Sequence, residues 1–494
     1  MMYLLLAGWL LLASLSGAGP PPDTGDPVPE AAYRVETIPM PEGLLSETGA
    51  LEFLPDGRLV ACFTRGEVMI YDPQTTQWHL FAEGLQDPLG ILALSNTEIL
   101  VMQRPELTRI KDTDGDGQAD VYEKVTDAFG LSGNYHEYNY GPVKDREGNL
   151  YIALNTASPN GGIRPLWRGP LDTLGRAPRQ MLSVVPYRGW VLKLRPDGRL
   201  LPVAGGFRSP NGLGFDQQGN LFVTDNQGDW IGTSPLHHVQ QDRFYGHPAS
   251  LVWQPDWRKG NPAHLPVAEL NLMRSPAAVL FPHGIIANSP TQPLCDNTAG
   301  RFGPFAGQLL VGEMNQERIV RVMLETVGGQ LQGACMPFLD GQGLRKGNNR
   351  LAFAPDGSLW VGQNAHGWAG DAGIQRIVYT GKLPLEVYAM HLTPEGFELT
   401  FTQPVDAGAA DPHNYRFRHY YYAYHARYGS DQYDVQQVPV REVKVSADGR
   451  KVSLKLAALK PGYVYELSLG DIRTPAGKRL AHNIICYTLN KLKS

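Results

Sequence analysis

Residues 350–363 read RLAFAPDGSLWVGQ: an apolar stretch, an Asp-Gly turn and a second apolar stretch. Asp-Gly between two alternating apolar runs is the strongest short-range hairpin signal, because glycine accepts the positive φ that a tight turn demands. The same unit recurs as LEFLPDGRLVACF at 51–63, YGPVKDREGNLYIAL at 140–154 and GLGFDQQGNLFVTD at 212–225. VLKLRPDGRLLPV at 191–203 reads as an outer hairpin of the same kind. Two degenerate copies, GILALSNTEILVMQ at 90–103 and GPFAGQLLVGEMNQERIVRVML at 303–324, bring the inner strand pairs to six. A hairpin with two apolar faces cannot bury both by itself and must stack on copies of itself. Radial closure also removes the exposed sheet edges. The sequence therefore predicts an all-β chain whose main part is a six-bladed β-propeller.

The flanks read differently. Residues 1–18 hold an apolar run of signal-peptide length followed by Ser16-Gly17-Ala18, small residues suited to leader cleavage. This predicts an exported protein, periplasmic or extracellular, with no transmembrane segment after leader removal. Residues 19–33 are Pro-rich and read as a spacer. The propeller is expected over 34–383. From 384 to 494 come alternating strands with PEG and ADG turns, the pattern of a small immunoglobulin-like β-sandwich. Within it, the Tyr-rich stretch 415–428 reads either as a sugar-stacking surface or, preferably, as a strand packed on the propeller.

Composition excludes several classes. Only 19% of residues are charged and the net charge is −5, so nothing suggests a nucleic-acid partner. Abundant Gly and Pro, 55 and 39 residues, suit short strands and tight turns. Four Cys are too few for a disulfide scaffold. Cys295 and Cys335 flank one expected blade, and an oxidising compartment leaves their pairing open. No CxxCH occurs, so the chain attaches no c-type haem of its own.

Two constellations carry chemistry. DTDGDGQADVYE at 112–123 spaces Asp112, Asp114 and Asp116 two apart, followed by Gly117, Gln118, Asp120 and Glu123. Carboxylates this close repel unless a hard cation gathers them, and Gly117 permits a chain to wrap an ion. The pattern resembles the calcium loops of integrin-type propellers and fits an EF-hand loop with Glu123 in the last place. It predicts a structural Ca2+ bound by Asp112, Asp114, Asp116, Gln118, Asp120 and Glu123. The second constellation is distributed: His136, Arg208, Asn211, His283 and Arg350 each stand at or just before an expected inner strand. Such positions line one end of a propeller channel, where small molecules bind.

With these motifs the sequence resembles the soluble glucose/sorbosone dehydrogenases, six-bladed quinoprotein-type propellers. The stretch DNQGDWIGTSPLHHVQQDRFYGHPASLVW at 225–253 looks like the heme-associated "membrane-bound dehydrogenase" branch of Planctomycetes and related bacteria. The resemblance implies pyrroloquinoline quinone as cofactor. It also implies a catalytic His before the Gly148-Asn-Leu-Tyr151 turn, which His136 matches. The family's Arg-Asn pair falls on Arg208 and Ser209, with Asn211 close by. Arg350 fits one of the late-blade positions that hold quinone carboxylates, and Asn348 stands where a second Arg is expected. The implied function is oxidation of a sugar or related alcohol, with electrons leaving to a separate cytochrome or other carrier. Two alternatives stand beside it. One is a non-catalytic propeller that binds carbohydrate or a partner. The other is a metal-dependent lactonase-type hydrolase with Glu47, Asn211 and Asp225 as conceivable ligands.

Overall fold

Six four-stranded antiparallel units follow one another along the chain. The computed structural model describes residues 31–172, 179–365 and 370–493. The expected signal peptide and residues 19–30 of the spacer lie outside the described residues, and Tyr33 already belongs to a strand. Blade 1 consists of Thr48–Phe53, Leu59–Phe63, Val68–Asp72 and Gln77–Ala82; blade 2 of Gly90–Ala93, Glu98–Met102, Leu107–Lys111 and Val121–Thr126. Blade 3 runs through Asn139–Lys144, Leu150–Leu154, Trp190–Leu194 and Leu200–Gly205; blade 4 through Pro210–Phe215, Leu221–Asp225, Ser234–Val239 and Val279–Phe281. Blade 5 holds Pro290–Cys295, Leu309–Glu313, Arg318–Val327 and Gln330–Asp340. Blade 6 takes Asn348–Phe353, Leu359–Gln363 and Gly373–Tyr379, and its outermost strand is the N-terminal Tyr33–Ile38, paired from Tyr33↔Tyr379 to Ile38↔Ile374. The first described strand thus completes the last blade, and the fold is a six-bladed propeller.

Consecutive inner strands pack side by side around the ring, and Asn348–Phe353 meets Thr48–Phe53 to close it. Glycine makes this approach possible. A Cβ on Gly90 would stand 1.4 Å from the Gly141 carbonyl oxygen of the next blade, and one on Gly214 would stand 2.0 Å from that of Pro293. The hydrophobic cores lie between blades. One joins Val60, Cys62 and Ile70 of blade 1 to Ile91, Ile99 and Val101 of blade 2. Another joins Tyr140, Ala153 and Val191 of blade 3 to Leu213 and Val223 of blade 4. Each blade is therefore buried on both faces by its neighbours, which is why its strands read as near-continuous apolar runs.

Blade 5 departs from the sequence reading. The copy at 303–324 covers its second and third strands; the inner strand is Pro290–Cys295. Pro290 and Pro293 disguise it, and a register shift falls between them. Proline is tolerated because an innermost strand leaves one edge without a ladder partner. Cys295 and Cys335 then lie on the first and fourth strands of one blade, with two strands between them, and all four cysteines are free thiols. The residue opposite Cys335 is Cys486.

The boundary near residue 384 does not separate two sheets. The outer strand of blade 5 pairs with Ile484–Leu489, and the sheet continues through Tyr463–Leu469, Tyr415–Tyr422 and Gln432–Val438 to eight strands. A second layer of Val387–Thr393, Gly396–Phe401, Lys451–Leu456 and Val440–Val445 covers the C-terminal half. Leu392, Phe397, Leu399 and Leu454 of that layer meet Phe417, Tyr465, Leu467 and Tyr487 in one core. The C-terminal region is a two-layer β-sandwich, and one of its layers extends a propeller blade.

Each blade meanders, so first-to-second and third-to-fourth turns lie on one face of the ring. Second-to-third turns and blade-to-blade links lie on the other. The 112–120 loop belongs to the first face; His136, Arg208 and the turns after the second strands of blades 3 and 4 belong to the second. No helix among the described residues is long and apolar enough to cross a membrane.

Candidate functional site

On the second face, three segments of blades 3 and 4 converge. The link 127–138 carries His136, the four-residue link between blades 3 and 4 carries Arg208, and the turn 226–233 carries Asp229. Thr156, two residues past the second strand of blade 3, ties the first two together. Its carbonyl oxygen lies 2.9 Å from His136 Nδ1, while its amide and its Oγ1 both donate to the Arg208 carbonyl, at 3.2 and 2.5 Å.

A carbonyl can only accept, so Nδ1 carries the imidazole proton and Nε2 presents a lone pair. His136 is 6% exposed, and Nε2 has no hydrogen-bond partner among the described residues yet is not sealed from solvent. Burial pushes its pKa down to about 4, opposed by the Thr156 hydrogen bond and assisted by the charges of Arg208 and Arg104. The ring is therefore neutral at ordinary pH. Asn134 fixes the loop: its Oδ1 accepts from the His136 and Ser158 amides, and its Nδ2 donates to the Ser158 and Gly162 carbonyls. The Tyr135 and Tyr138 rings stand edge-on to the imidazole at 6.1 and 5.6 Å. Arg104 covers Tyr138 at 4.6 Å and pairs with Asp87.

Arg208 is 9% exposed, and its Nε donates to Asp229 Oδ1 at 2.8 Å. Asp229 Oδ2 accepts from His247 Nε2 and from the Met181 amide, both at 2.8 Å. Burial disfavours this carboxylate, but His247 and Arg208 outweigh it and hold its pKa well below the usual range. The guanidinium lies directly on backbone: a Cβ at Gly228 would be 1.9 Å from Nε. The terminal nitrogens of Arg208 have no hydrogen-bond partner among the described residues. Asp225 sets the Arg208 backbone by accepting from the amides of Arg208, Ser209 and Asn226, at 2.8, 2.6 and 2.8 Å. Beside Asp229, Trp230 is buried at φ 66°, a left-handed conformation that a bulky residue adopts only when its surroundings impose it.

Asn211, on the inner strand of blade 4, keeps its side-chain amide free of hydrogen bonds among the described residues. Asn155 donates to Ser209 Oγ at 3.2 Å, and its Oδ1 is buried without a partner. His136 Nε2, the Arg208 terminal nitrogens, the Asn211 amide and Asn155 Oδ1 thus form a set of polar groups that the protein does not satisfy. Such groups are a ligand site's usual mark.

The other sequence-derived residues fall elsewhere. Arg350 is not open: its Nε and Nη2 donate to the Leu89 carbonyl, its Nη1 to the Asn211 and Asn349 carbonyls and Asn349 Oδ1, and its guanidinium lies 4.7 Å from the Tyr140 ring. It braces blades 2, 3, 4 and 6 across the channel. Burial pushes its pKa down to about 10. Asn348 donates to the Gln316, Arg318 and Arg345 carbonyls. His283 sits exposed on the link after blade 4, its amide bonded to Thr233 Oγ1, and joins none of these residues. Asp229, His247 and Thr156 were not singled out from sequence; the first two lie inside the 225–253 stretch that carries the family resemblance.

The acidic loop is a separate candidate metal centre. One carboxylate oxygen each from Asp112, Asp114 and Asp116 lie within 4.8 Å of one another. Asp112 is buried and accepts from the Gly115 and Gly117 amides, at 2.7 and 3.0 Å; Asp116 accepts from the Gln118 amide at 2.8 Å. Asp120 instead holds Thr113, with Oγ1 at 2.5 Å. Glu123 lies on the fourth strand of blade 2, 3.6 Å from both Arg109 and Lys111, apart from the cluster. Clustered hard oxygens suit Ca2+, and the set the geometry brings together is Asp112, Asp114 and Asp116.

No curated protein matches the chain. Among solved structures, a Thermus thermophilus protein described as a putative oxidoreductase (glucose dehydrogenase) is 19% identical, covering 70% of this chain and 100% of that one at a TM-score of 0.49. The PQQ-bound aldose sugar dehydrogenase of Streptomyces coelicolor is 18% identical over 71% and 99%, at 0.47. The pyranose dehydrogenase PQQ domain of Coprinopsis cinerea is 12% identical over 71% and 96%, at 0.47. The family described as "Domain of unknown function (DUF7133)" matches residues 69–363, from the third strand of blade 1 to the second strand of blade 6. That is more than half of the chain, which therefore belongs to the DUF7133 family.

Proposed function

We propose that the channel mouth binds a sugar or related alcohol and oxidises it in the manner of a quinoprotein, with His136 as the base. One observation carries the reading: a buried, neutral histidine presents a bare Nε2, Thr156 ties it to an arginine whose terminal nitrogens the protein leaves unsatisfied, and the Asn211 amide on the inner strand of blade 4 is likewise unsatisfied. Alcohol oxidation needs a group to take the hydroxyl proton, and the unprotonated Nε2 has the lone pair to accept it. Thr156 keeps the tautomer, Asn134 keeps the loop, and Asp229 keeps the Arg208 guanidinium oriented.

The orphaned polar groups also fit one edge of pyrroloquinoline quinone. The Arg208 terminal nitrogens suit a carboxylate, and the Asn211 amide a second oxygen. Arg350 and Asn348 are committed to protein carbonyls and are left out of the set. When bound, the quinone supplies the two-electron acceptor that no side chain provides. In this reading a separate cytochrome or other carrier takes the electrons onward. The protein is exported by its leader to the periplasm or beyond, and Ca2+ at Asp112, Asp114 and Asp116 is structural.

A second reading, a non-catalytic carbohydrate-binding propeller, is favoured by the same commitment of Arg350, which leaves Arg208 to meet a polyanionic cofactor. The lactonase-type reading loses a ligand, because Asp225 is engaged by three backbone amides. The test is direct. Purified protein is titrated with pyrroloquinoline quinone and Ca2+ by calorimetry, then assayed with aldoses and glycosides and a dye acceptor. Quinone uptake and dye reduction support oxidation. Sugar binding with neither result replaces oxidation by the binding-module reading.

A further inference from the structure

The sandwich does more than extend blade 5. Between its strands Tyr415–Tyr422 and Gln432–Val438, residues 423–431 leave the sheet and lie on the blade 4 turn that carries Asp229. The Gly429 amide donates to the Gly228 carbonyl at 2.9 Å and the Ser430 amide to that of Gly232 at 2.8 Å, with Asp229 and Tyr428 paired as a β-bridge. Tyr424 anchors the near side: its hydroxyl donates to the Gly246 carbonyl at 2.5 Å, and its ring packs on Trp230 at 5.2 Å and on Arg274 at 4.6 Å.

Tyr428 behaves differently from Tyr424. Its backbone is held by the bridge to Asp229, yet its side chain is left open, with the residue 70% exposed. The Arg208 guanidinium lies over one face of the ring, 5.4 Å from its centroid, so the exposure of the residue belongs to the rest of the ring. An exposed aromatic fixed by its backbone and backed on one face by a guanidinium is a preorganised apolar surface on its other side. A pyranose ring has matching chemistry, with C–H groups on its face and hydroxyls around its rim.

We infer that Tyr428 is the outer wall of the channel-mouth site and stacks a pyranose on the side of its ring turned away from Arg208, so that the sandwich supplies a specificity residue to the propeller. The inference rests on the channel-mouth reading above, but it concerns binding and can be tested apart from oxidation. Tyr424 carries the anchoring and Tyr428 the recognition, so the loop stays in place when the Tyr428 ring is removed.

The experiment uses the full chain and its Tyr428→Ala and Tyr428→Phe variants. Binding of methyl glycosides and short oligosaccharides is followed by saturation-transfer NMR and calorimetry, and dye reduction is measured in parallel. Tyr428→Ala is expected to weaken sugar binding about three- to tenfold, the scale of a lost ring contact. It raises KM by the same factor, leaves kcat unchanged and leaves the melting temperature within experimental scatter. Tyr428→Phe restores wild-type binding, since the ring and not the hydroxyl makes the wall. Undiminished binding in Tyr428→Ala overturns the inference and leaves the oxidation reading standing. A wild-type chain that binds sugar, loses it in Tyr428→Ala, and oxidises nothing upholds the inference and removes the oxidation reading. A wild-type chain that binds none of the sugars overturns both.

Discussion

His136 Nδ1 lies 2.9 Å from the carbonyl oxygen of Thr156, and this bond decides which imidazole nitrogen is bare. The same threonine holds the Arg208 carbonyl through its amide and hydroxyl. The imidazole and the Arg208 backbone are thus held by one residue just past a blade 3 strand, at the seam between blades 3 and 4.

Replacing the proposed base should separate chemistry from folding. His136→Ala is expected to lower kcat by about 10²–10⁴, the usual worth of general-base catalysis, with sugar affinity nearly retained. Because burial holds the His136 pKa at about 4, the acid limb of the kcat/KM profile should fall near that pH in the wild type. An acid limb near 6.5, or turnover that survives His136→Ala, would assign the proton to another group.

Asp229 is the charge partner of Arg208 and a hydrogen-bond partner of His247. Asp229→Ala leaves a buried guanidinium without its counter-charge, a change that typically costs about 3–5 kcal/mol. Denaturant melts should show a loss of this order, and sugar binding should weaken as Arg208 loses its orientation. An Asp229→Ala protein as stable as wild type would mean that the pair is not formed in solution.

Stability should also depend on pH in a stated direction. His136 and His237 are buried, with pKa values pushed by burial from 6.5 to about 4 and about 3. Between those limits and about 6.5 the unfolded chain binds protons that the folded chain refuses. Stability therefore rises with pH across the window and is lost as pH falls from about 6.5 toward 4. Both His237 ring nitrogens are buried without partners, and the ring packs on Phe207 and Tyr245. His237→Phe should accordingly flatten the acid side of a melting-temperature profile. An unchanged slope would mean that His237 is solvated in the native state.

Much of this fold was legible because its signal is local. Asp-Gly and Gly-Asn turns between apolar runs mark most of the blades by their inner hairpins, and each turn depends on a few adjacent residues. Blade 5 was displaced by one strand because Pro290 and Pro293 erase the apolar alternation of its inner strand. The shared sheet across Cys335 and Cys486 joins residues 151 positions apart, and no local pattern encodes such a pairing. At the site, His136, Arg208 and Asn211 could be found from their place at or just ahead of inner strands. Asp229 could not, since its partners Arg208, His247 and Met181 come from three other segments. His283 shares the pattern but ends on an exposed turn, because its link enters blade 5 through the unrecognised strand.

The acidic loop gives a measurement independent of catalysis. A ligand bound only by the native state at a hundred times its dissociation constant adds about 2.7 kcal/mol. Chelation should therefore lower the melting temperature, Ca2+ should restore it, and Asp114→Ala should abolish the response. Asp120→Ala should reduce it less, because Asp120 holds Thr113 and lies outside the three-carboxylate cluster. A melting temperature indifferent to chelator and to Asp114→Ala would leave the loop as an acidic turn.

Arg350 distinguishes a brace from a cofactor ligand. Its guanidinium reaches the carbonyls of Leu89, Asn211 and Asn349 and lies under Tyr140, so donors from blade 6 are shared among blades 2, 3 and 4. Arg350→Met fills similar length without donors. Each buried acceptor left unsatisfied costs about 1–3 kcal/mol, offset in part because a buried charge no longer has to be desolvated. A net loss of about 2–4 kcal/mol is expected in denaturant melts. Quinone affinity measured below the melting transition should change less than about threefold, because none of the Arg350 donors is open to a ligand. Arg208→Met should do the reverse to affinity, weakening quinone uptake at least about tenfold, since its terminal nitrogens are the open cation of the mouth. If Arg350→Met instead abolishes quinone uptake and melts like the wild type, Arg350 swings away from Leu89 to meet the cofactor, and the brace is only the resting arrangement of a ligand residue.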